Sequence, residues 1–480
     1  MTPYTAINIG PIISTLQMAR KPRELWAASY LFSRLMKCII EELKNKNLEI
    51  ISPAIVEKPL LGVGLYPDRV FVKGEVKPED FLASLKEYFF NSIEAKELSL
   101  QEKDNLWEYF NIMFAYYKPK DDFENHSVAL ANLNEQLNIL ELNNYAKRSE
   151  CEVSVRKMLD YGNSPLKEFF NKEGFDTLDS IAKTELKSNP TKEKKSYHNY
   201  ICVVQADGDN VGKNITNPQL GNEKLGAISK ALIKFGEAAA EKIADFGGMP
   251  IYAGGDDLLF IAPVVGKDGT TIFDLLQKID NDCFNKLSHE ILDASMSYGV
   301  SVSYQKFPLY ESMKTARTLL EEIAKDKYQT GNLMGKNAIA FKLQKHSGSG
   351  FNFAFSKADT EFVKKFNRLI EQTSDGNTVS AVAHKIRAND GLVKRVLEAG
   401  SDERIDALFE KVLECTGTPY FDAVKKIMPT VYKGINEHKI YVGQNKTKSE
   451  TDDWENKYGI ALYNILRTAK FLKGEESIDE

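Results

Sequence analysis

Cysteine is scarce in this chain of 480 residues: there are five, and no two of them form a CxxC pair. Their wide spacing argues against a disulfide framework and against a zinc knuckle, and it favours a reducing cytoplasm. No run of about 18 apolar residues is present, so we expect no transmembrane helix. The opening stretch MTPYTAINIGPIIS lacks the basic region and long apolar core of a signal peptide. These absences predict a cytoplasmic protein without membrane association.

Charge of either sign is not in large excess, because 63 Lys and Arg stand against 68 Asp and Glu. This mild acidity argues against wholesale coating of nucleic acid, although it is compatible with local basic patches. Hydrophobic residues make up 42% of the chain, as in ordinary globular proteins. The length exceeds that of one ordinary core, so we expect roughly two to four domains.

Four regions differ in their hydrophobic pattern. Residues 1–75 predict an α/β unit, and residues 76–197 predict a mostly helical insert that ends in the charged, exposed loop 187–196. Residues 198–346 return to alternating strands and helices, and residues 347–480 predict a C-terminal helical bundle after the flexible joint HSGSG. The third region has the order β-α-β-β-α-β, which is that of a ferredoxin-like palm, so the predicted fold class is α+β.

Two acidic motifs follow apolar strands in the third region. The segment DGD, residues 207–209, ends the first predicted strand, and GGDD, residues 254–257, forms a tight turn between two apolar runs. The strands that carry these motifs are neighbours in a ferredoxin-like palm, so Asp207 is expected to face Asp256 and Asp257. Converging carboxylates repel one another unless a hard divalent cation, Mg²⁺ or Mn²⁺, lies between them.

This pattern favours a nucleotide site with two metal ions, which would activate a hydroxyl and neutralise a leaving pyrophosphate. Gly254 and Gly255 carry no side chain, so a nucleotide can approach the hairpin backbone closely. The carbonyl group of Gly208 can join the ligand set. Either motif alone is typical of a surface turn, and only their joint occurrence after apolar strands favours this chemistry. The predicted metal ligands are Asp207, Gly208, Asp256 and Asp257.

Four segments, ADGDNVGK, GGDD, SYGVSV (297–302) and GKNAIAF (335–341), resemble in this order the catalytic palm of the CRISPR polymerases. Those proteins are the large subunits of type III CRISPR effector complexes. Residues 10–35 resemble the first palm of their Cmr-type, or type III-B, branch. The resemblance implies two ferredoxin-like palms of the nucleotide cyclase (GGDEF) kind, with a helical insert and a C-terminal helical bundle. It rests on no motif in the helical regions.

The resemblance also implies a function. In the family, target RNA bound by the guide-loaded complex activates the second palm, which joins ATP molecules into cyclic oligoadenylate messengers. We therefore expect an RNA-guided antiviral subunit and an ATP-dependent nucleotidyltransferase that releases pyrophosphate. Its expected cofactors are two Mg²⁺ or Mn²⁺ ions, and its expected partners are guide RNA, target RNA and other subunits of the complex.

Residue roles carry over from the matching motifs. The expected catalytic residues are Asp207, Asp256 and Asp257, and the expected nucleotide-binding residues are Gly208, Gly254, Gly255, Lys336, Asp209 and Lys213. Asp257 is expected as a supporting ligand or as a residue that shapes the hairpin. Lys336 would meet the triphosphate as a point charge, and its alternative is an exposed lysine at a strand end. The equivalent turn of the first palm, residues 62–69, has no acidic pair, so this palm is expected to be an inactive wall for a second nucleotide.

Departures from the family pattern bear on the activity. Many relatives begin with an HD phosphohydrolase domain, but this chain starts at the palm strand and none of its six histidines precedes an aspartate. We therefore expect no HD nuclease activity. The cysteine pairs that bind zinc in the insert of Cmr-type relatives are also absent from this sequence. The sequence therefore does not support an insert stabilised by zinc.

Three alternatives remain open on the sequence. The same site could attach AMP to another acceptor, such as S-adenosylmethionine, because the metal ions act on the triphosphate donor. A stand-alone enzyme like the diguanylate cyclases shares the palm, but those enzymes carry Glu-Phe where this hairpin continues with Asp257-Leu258. A catalytically silent scaffold for guide and target RNA is the third, and the intact acidic residues argue against it.

Overall fold

A computed structural model describes residues 2–55, 63–93, 98–119, 125–143, 159, 177–286, 294–326, 335–413, 417–441 and 457–475. Within these residues the chain forms two β-sheets, each covered by helices. No helix in this described part is both long and apolar enough to cross a membrane.

The first sheet has four strands: β1 (Tyr4–Gly10), β2 (Glu49–Ser52), β3 (Arg69–Lys73) and β4 (Asn111–Tyr117). Their order is β2-β3-β1-β4, and each neighbouring pair is antiparallel. This is the ferredoxin-like arrangement of a β-α-β-β-α-β chain. The helices of this half are Ile12–Met18, Pro22–Asn45, Pro78–Ser92, Leu100–Tyr109 and His126–Asn143.

Strand β4 corrects the prediction that residues 76–197 are mostly helical. Its sequence, NIMFAYY, is rich in residues that favour strands, and all seven residues pair with β1. Amphipathic helices flank this short run on both sides, so the helical spacing of apolar residues dominates the hydrophobic pattern of the region. The first palm is therefore completed at Tyr117, beyond the predicted boundary at residue 75. Residues 144–158 and 160–176 of the predicted insert lie outside the described residues.

The second sheet contains a palm with the same strand order. Its strands are β5 (Tyr200–Asp209), β6 (Met249–Gly254), β7 (Asp257–Pro263) and β8 (Ser295–Tyr304). They lie in the order β8-β5-β7-β6, again with antiparallel neighbours. The α-helices of this palm and of the segment that precedes it are Leu178–Ala182, Thr184–Ser188, Val211–Ile215, Asn222–Phe246, Ile272–Lys278 and Leu309–Thr318.

Three further strands extend this sheet beyond the palm: β9 (Ala338–Gln344), β10 (Gly350–Ser356) and β11 (Ile440–Tyr441). The segment HSGSG is not the predicted flexible joint, because it forms the turn of the hairpin between β9 and β10. Gly348 in this turn adopts a φ of 83°, and its N–H donates to the carbonyl of Lys345 over 3.0 Å. The predicted C-terminal bundle thus begins only after a strand that belongs to the second sheet.

The helices that follow β10 pack on one face of the extended sheet. Alternate phenylalanines of β10, at positions 351, 353 and 355, are buried against them. These helices are Thr360–Gln372, Gly376–Ala388, Asp390–Ala399, Asp402–Leu408, Pro419–Asn436 and Lys457–Lys473. A helical C-terminal region was predicted from the spacing of its apolar residues.

The two palms contact each other through the backbone. Gly64, in the first palm, forms a parallel bridge to Tyr252 of β6, and the Ala253 N–H donates to the Gly64 carbonyl over 2.9 Å. The Ser29 hydroxyl donates to the Ile251 carbonyl over 2.9 Å. A Cβ atom at Gly64 would lie 2.6 Å from Ser29 Oγ, so a larger residue would disturb this contact. The strand that leads into the GGDD turn is therefore held by the first palm.

A buried carboxylate fixes the chain where it enters β5. Glu185 is 1% exposed, and its Oε2 accepts hydrogen bonds from the Tyr197 hydroxyl (2.7 Å) and from His198 Nε2 (2.9 Å). The Lys195 N–H donates to His198 Nδ1, so Nε2 carries the imidazole proton. Burial alone would raise the pKa of Glu185, but hydrogen bonds from His198, Lys192 and Tyr197 lower it to about 2.

Replacement of Glu185 by Gln is expected to destabilise the fold by about 1–3 kcal/mol at pH 7, because three donors lose a charged acceptor. The pKa of Glu185 in the folded state lies below its ordinary value of 4.5. The stabilisation is therefore present above about pH 4.5 and is lost as the pH falls towards 2. Urea midpoints across this range test the effect, with Glu193→Gln on the exposed loop as the control. Equal midpoints for wild type and E185Q at pH 7 would contradict it.

Candidate functional site

The acidic segments predicted to converge lie on adjacent strands. In the register of β5 and β7, Asp207 is directly opposite Asp257. The Gly208 N–H donates to the Asp256 carbonyl over 3.1 Å, which fixes the GGDD turn against the end of β5. On the other side of β5, Asp207 is opposite Ser297 of β8. The structure therefore brings Asp207 and the 254–257 turn together, because the strand order of the palm makes their strands neighbours.

Three glycines shape the surface of this site. A Cβ atom at Gly208 would lie 2.7 Å from the Cβ of Asp256, so only glycine allows this close approach. A Cβ at Gly254 would lie 2.5 Å from the Tyr252 hydroxyl. Gly255 has a φ of 69°, and no atom lies within 4 Å of the position that its Cβ would take. The backbone at Gly255 is therefore open, and its contact with a nucleotide stays a prediction.

The carboxylates of this site repel one another. Like charges directly opposite on paired strands are destabilising. Burial, followed by the charge of Asp207, raises the pKa of Asp256 to about 7. Desolvation and the charges of Asp207 and Asp256 also raise the pKa of Asp257, although its side chain lies at the exposed side of the turn. The site is thus poised to take up positive charge.

Lys325 supplies positive charge to this site. Its Nζ lies 2.6 Å from Asp207 Oδ2 and 3.6 Å from Asp209 Oδ1, and it donates to the Gly208 carbonyl over 3.1 Å. The side chain of Lys325 is only 11% exposed, whereas that of Asp207 is 32% exposed. Sequence analysis missed Lys325, because it follows the π-helical turn Leu319–Ala324 and belongs to none of the motifs.

The ammonium group of Lys325 is a stand-in for the predicted metal ion. It contacts a carboxylate oxygen of Asp207 and the carbonyl oxygen of Gly208, two of the four predicted ligands. Within the described residues, no three Asp, Glu, His or Cys side chains are already arranged as a metal-binding group. The oxygen donors fit a hard divalent ion, and binding of such an ion at Asp207 would require Lys325 to withdraw.

Asp209 lies behind the site and does not face a nucleotide. It is fully buried, and its carboxylate accepts hydrogen bonds from Ser295 (2.6 Å), Ser297 (2.9 Å) and the Asn337 N–H (2.8 Å). These donors satisfy the carboxylate inside the protein. The prediction that Asp209 binds nucleotide is therefore at odds with the structure. Lys213, another predicted nucleotide-binding residue, is exposed on the short helix Val211–Ile215.

The GKN segment packs against the loop that follows β5. Gly335, Lys336 and Asn337 all adopt left-handed conformations, with φ values of 55°, 76° and 48°. The Lys336 Nζ donates to Asn210 Oδ1 over 2.6 Å, and its N–H donates to the Ala324 carbonyl over 3.1 Å. Lys336 is therefore a neighbour of the DGD motif, and contact with a triphosphate remains a prediction.

Comparisons with known families match both palms. Residues 200–340 match the family described as Cas10/Cmr2, second palm domain, and residues 4–131 match the family described as CRISPR-associated protein Cmr2, N-terminal. The CRISPR system Cmr subunit Cmr2 of Pyrococcus furiosus is 28% identical to this chain over 229 residues. That similarity covers 42% of this chain and 22% of the relative, so the chain spans about a fifth of the length of this relative.

Solved structures share the fold over nearly the whole chain. A chain of the type III-B Cmr-beta complex, solved in the apo state and bound to cognate target RNA, matches with a TM-score of 0.60 at 11% identity, and the match covers 99% of this chain. It covers 82% of that chain in the apo state and 83% in the RNA-bound complex. A Csm1–Csm4 cassette in complex with cA4 matches with a TM-score of 0.52 at 13% identity, covering 99% of this chain and 70% of that chain. At these identities the likeness is one of fold.

Proposed function

We propose that this chain, whose two palms match the Cas10/Cmr2 second palm and the Cmr2 N-terminal families, is the nucleotidyltransferase subunit of an RNA-guided effector complex. Its second palm uses ATP to make a cyclic oligoadenylate when the complex binds target RNA. The Csm1–Csm4 cassette solved with cA4 has the same fold, which supports this product class. The partners in this proposal are guide RNA, target RNA and further subunits of the complex.

One observation carries the proposal: a cation is already held by the oxygens of the DGD motif, on the strand that pairs with the GGDD turn. The Lys325 Nζ contacts Asp207, which lies directly opposite Asp257 in the sheet. Such a cluster of like charges is costly in a folded protein unless positive charge compensates it. In an ordinary acidic surface turn, the carboxylates would point into solvent. Here Asp207 pairs with a second strand and contacts a largely buried ammonium group.

Residues of this chain have the following roles in the proposed reaction. The carboxylates of Asp207 and Asp256 and the carbonyl of Gly208 hold the divalent ions, and Asp257 supports them or shapes the turn. The bound ions would activate the attacking hydroxyl and neutralise charge on the leaving pyrophosphate. The open backbone at Gly255 lets the nucleotide approach. Lys325, which contacts Asp207, would then be free to balance charge on the triphosphate.

The proposed division of the chain follows the two sheets. The first palm, which begins within residues 1–75, does not carry the acidic motifs and forms a wall of the acceptor site. Residues 198–346 form the catalytic palm in this proposal. The contact of Gly64 with β6 supports a shared site, because it joins the first palm to the strand before the GGDD turn.

Mass spectrometry of the products from labelled ATP tests the function. The reconstituted complex is incubated with Mg²⁺, with and without target RNA, and with and without S-adenosylmethionine. Cyclic oligoadenylates that appear only with target RNA support the proposal. A conjugate of AMP with S-adenosylmethionine would show that S-adenosylmethionine, not a second ATP, is the acceptor. In a parallel incubation with labelled GTP, turnover without RNA would favour a diguanylate cyclase. No product under any condition would favour a scaffold.

Activity is expected to require Mg²⁺ or Mn²⁺, with Ca²⁺ a poor substitute. Ca²⁺ has a larger and looser coordination shell, which would misplace the phosphate. Rates of ATP consumption with each ion at equal concentration, and after addition of excess chelator, measure this dependence. Target-RNA binding under the same conditions is the control, since it does not use these ligands. Full activity in excess chelator would refute a metal-dependent reaction.

A further inference from the structure

A mostly buried ion pair joins the second palm to the residue that follows β10, and the proposed reaction uses neither of its members. The Lys357 Nζ donates to Asp280 Oδ2 over 2.6 Å, and the Tyr298 hydroxyl donates to Asp280 Oδ1 over 2.8 Å. The same ammonium lies 4.8 Å from the centroid of the Tyr298 ring. The side chains of Lys357 and Asp280 are 14% and 16% exposed. The Asp280 carboxylate and the Tyr298 ring therefore contact the Lys357 ammonium from two sides and hold it in place.

The backbone of Lys357 connects this pair to the GKN segment. Lys357 follows β10, and its N–H donates to the Asn337 carbonyl over 2.8 Å. The Asn337 N–H in turn donates to Asp209 Oδ2 over 2.8 Å. Asp209 lies 3.6 Å from the Lys325 Nζ, which contacts Asp207. A continuous series of contacts thus runs from the ion pair to the proposed metal ligand.

The GKN segment needs an external support of this kind. Its two non-glycine residues, Lys336 and Asn337, both have positive φ, a conformation that non-glycine residues adopt rarely. Such backbone persists only where surrounding contacts hold it. The contacts at Asn337 come from Lys357 on one side and from Asp209 on the other.

We infer that the pair of Lys357 and Asp280 is a positioning device for the active site. It anchors the GKN segment, and through Asn337 and Asp209 it sets the geometry of Lys325 and Asp207. Lys357 and Asp280 are positioning residues, since neither side chain reaches the proposed ligands. The inference rests on the proposed function for its effect on turnover, while its effect on the GKN segment is a property of the fold.

Stability alone does not account for this pair. A buried ion pair contributes little net stability, and apolar residues of the same shape often replace one without loss. A more exposed pair in the C-terminal region, with the same kinds of contact, provides the comparison: Lys425 Nζ lies 2.7 Å from Asp406 Oδ1 and 5.3 Å from the Phe409 ring centroid. That pair joins the helices Asp402–Leu408 and Pro419–Asn436, so its loss should not disturb the GKN segment.

The test compares Lys357→Met with Lys425→Met, both in the reconstituted complex with target RNA. For K357M we expect turnover of ATP to fall about ten- to hundredfold, because small displacements of positioned groups are costly. The KM for ATP should change less than about threefold. Lys357→Arg keeps the ion pair and should restore most of the turnover. K425M should behave as wild type. Wild-type turnover in K357M would overturn the effect on catalysis.

Hydrogen exchange decides the inference independently of activity. In K357M, peptides that cover residues 335–344 should exchange their amide hydrogens faster, because the Lys357 N–H that donates to the Asn337 carbonyl is no longer held in place by the ion pair. In K425M these peptides should exchange as in wild type. Asp280→Asn combined with Lys357→Met removes both buried charges, so it should recover thermal stability while exchange stays fast and turnover low. Unchanged exchange in K357M would overturn the inference. Faster exchange in a complex whose wild type consumes no ATP would retain the anchoring role and reject only the proposed function.

Discussion

Replacing Asp256 and Asp257 together with alanine is expected to abolish ATP consumption in the target-bound complex. The double variant removes two of the three carboxylates that face one another at the end of β5, so the divalent ions lose their ligands. Loss of such preorganised charge is expected to lower turnover by about a thousandfold or more. Rates of pyrophosphate release with saturating ATP and target RNA measure the effect.

The same double variant should bind target RNA as tightly as wild type, within about twofold. Asp245→Ala is the matched control, because Asp245 is an exposed acid on the helix Asn222–Phe246 of the same palm. It should leave both ATP consumption and RNA binding unchanged. An equal loss of RNA binding in the double variant would mean that the two carboxylates support the fold, not the reaction.

Lys325→Met is expected to have opposite effects on metal binding and on turnover. Without nucleotide, the ammonium competes with a divalent ion for Asp207, because its Nζ lies 2.6 Å from that carboxylate. Its removal should tighten Mn²⁺ binding to the nucleotide-free protein by about tenfold. Turnover of ATP should nevertheless fall by about a hundredfold or more, because the triphosphate loses a preorganised positive charge.

Titration of Mn²⁺ by electron paramagnetic resonance, together with pyrophosphate release, separates these two effects. Lys278→Met is the control, since the Lys278 Nζ pairs with Asp268 over 2.9 Å on the surface of the same palm. It should change neither quantity. Weaker Mn²⁺ binding in K325M would show that Lys325 supports the metal site. Wild-type turnover in K325M would show that Lys325 has no role in the reaction.

The sequence predicted those parts of the site that depend on strand order alone. Apolar strands in the order β-α-β-β-α-β have fixed neighbours in a ferredoxin-like sheet. The pairing of Asp207 with Asp257 therefore followed from order and spacing, without knowledge of side-chain contacts. Gly255 was predicted in the turn because it has no side chain, and the structure adds that its φ is 69°.

Features that depend on contacts between distant segments could not be predicted in this way. Asp209 was expected at the site together with Asp207 because both belong to the DGD motif that resembles the family. Asp209 is buried because the GKN segment covers it, and no local pattern encodes that cover. Lys325 reaches Asp207 from the end of a π-helical turn, and β4 becomes a strand only by pairing with β1.

The contact between Gly64 and β6 also bears on how this protein can be divided. Strand β6 is the last strand of its sheet, and Gly64 takes up part of its free side. A fragment cut to residues 198–346 would expose these backbone groups, and an uncovered sheet edge invites association with other chains. The second palm is therefore not a self-sufficient unit, and shortened versions of this protein should retain the segment around Gly64.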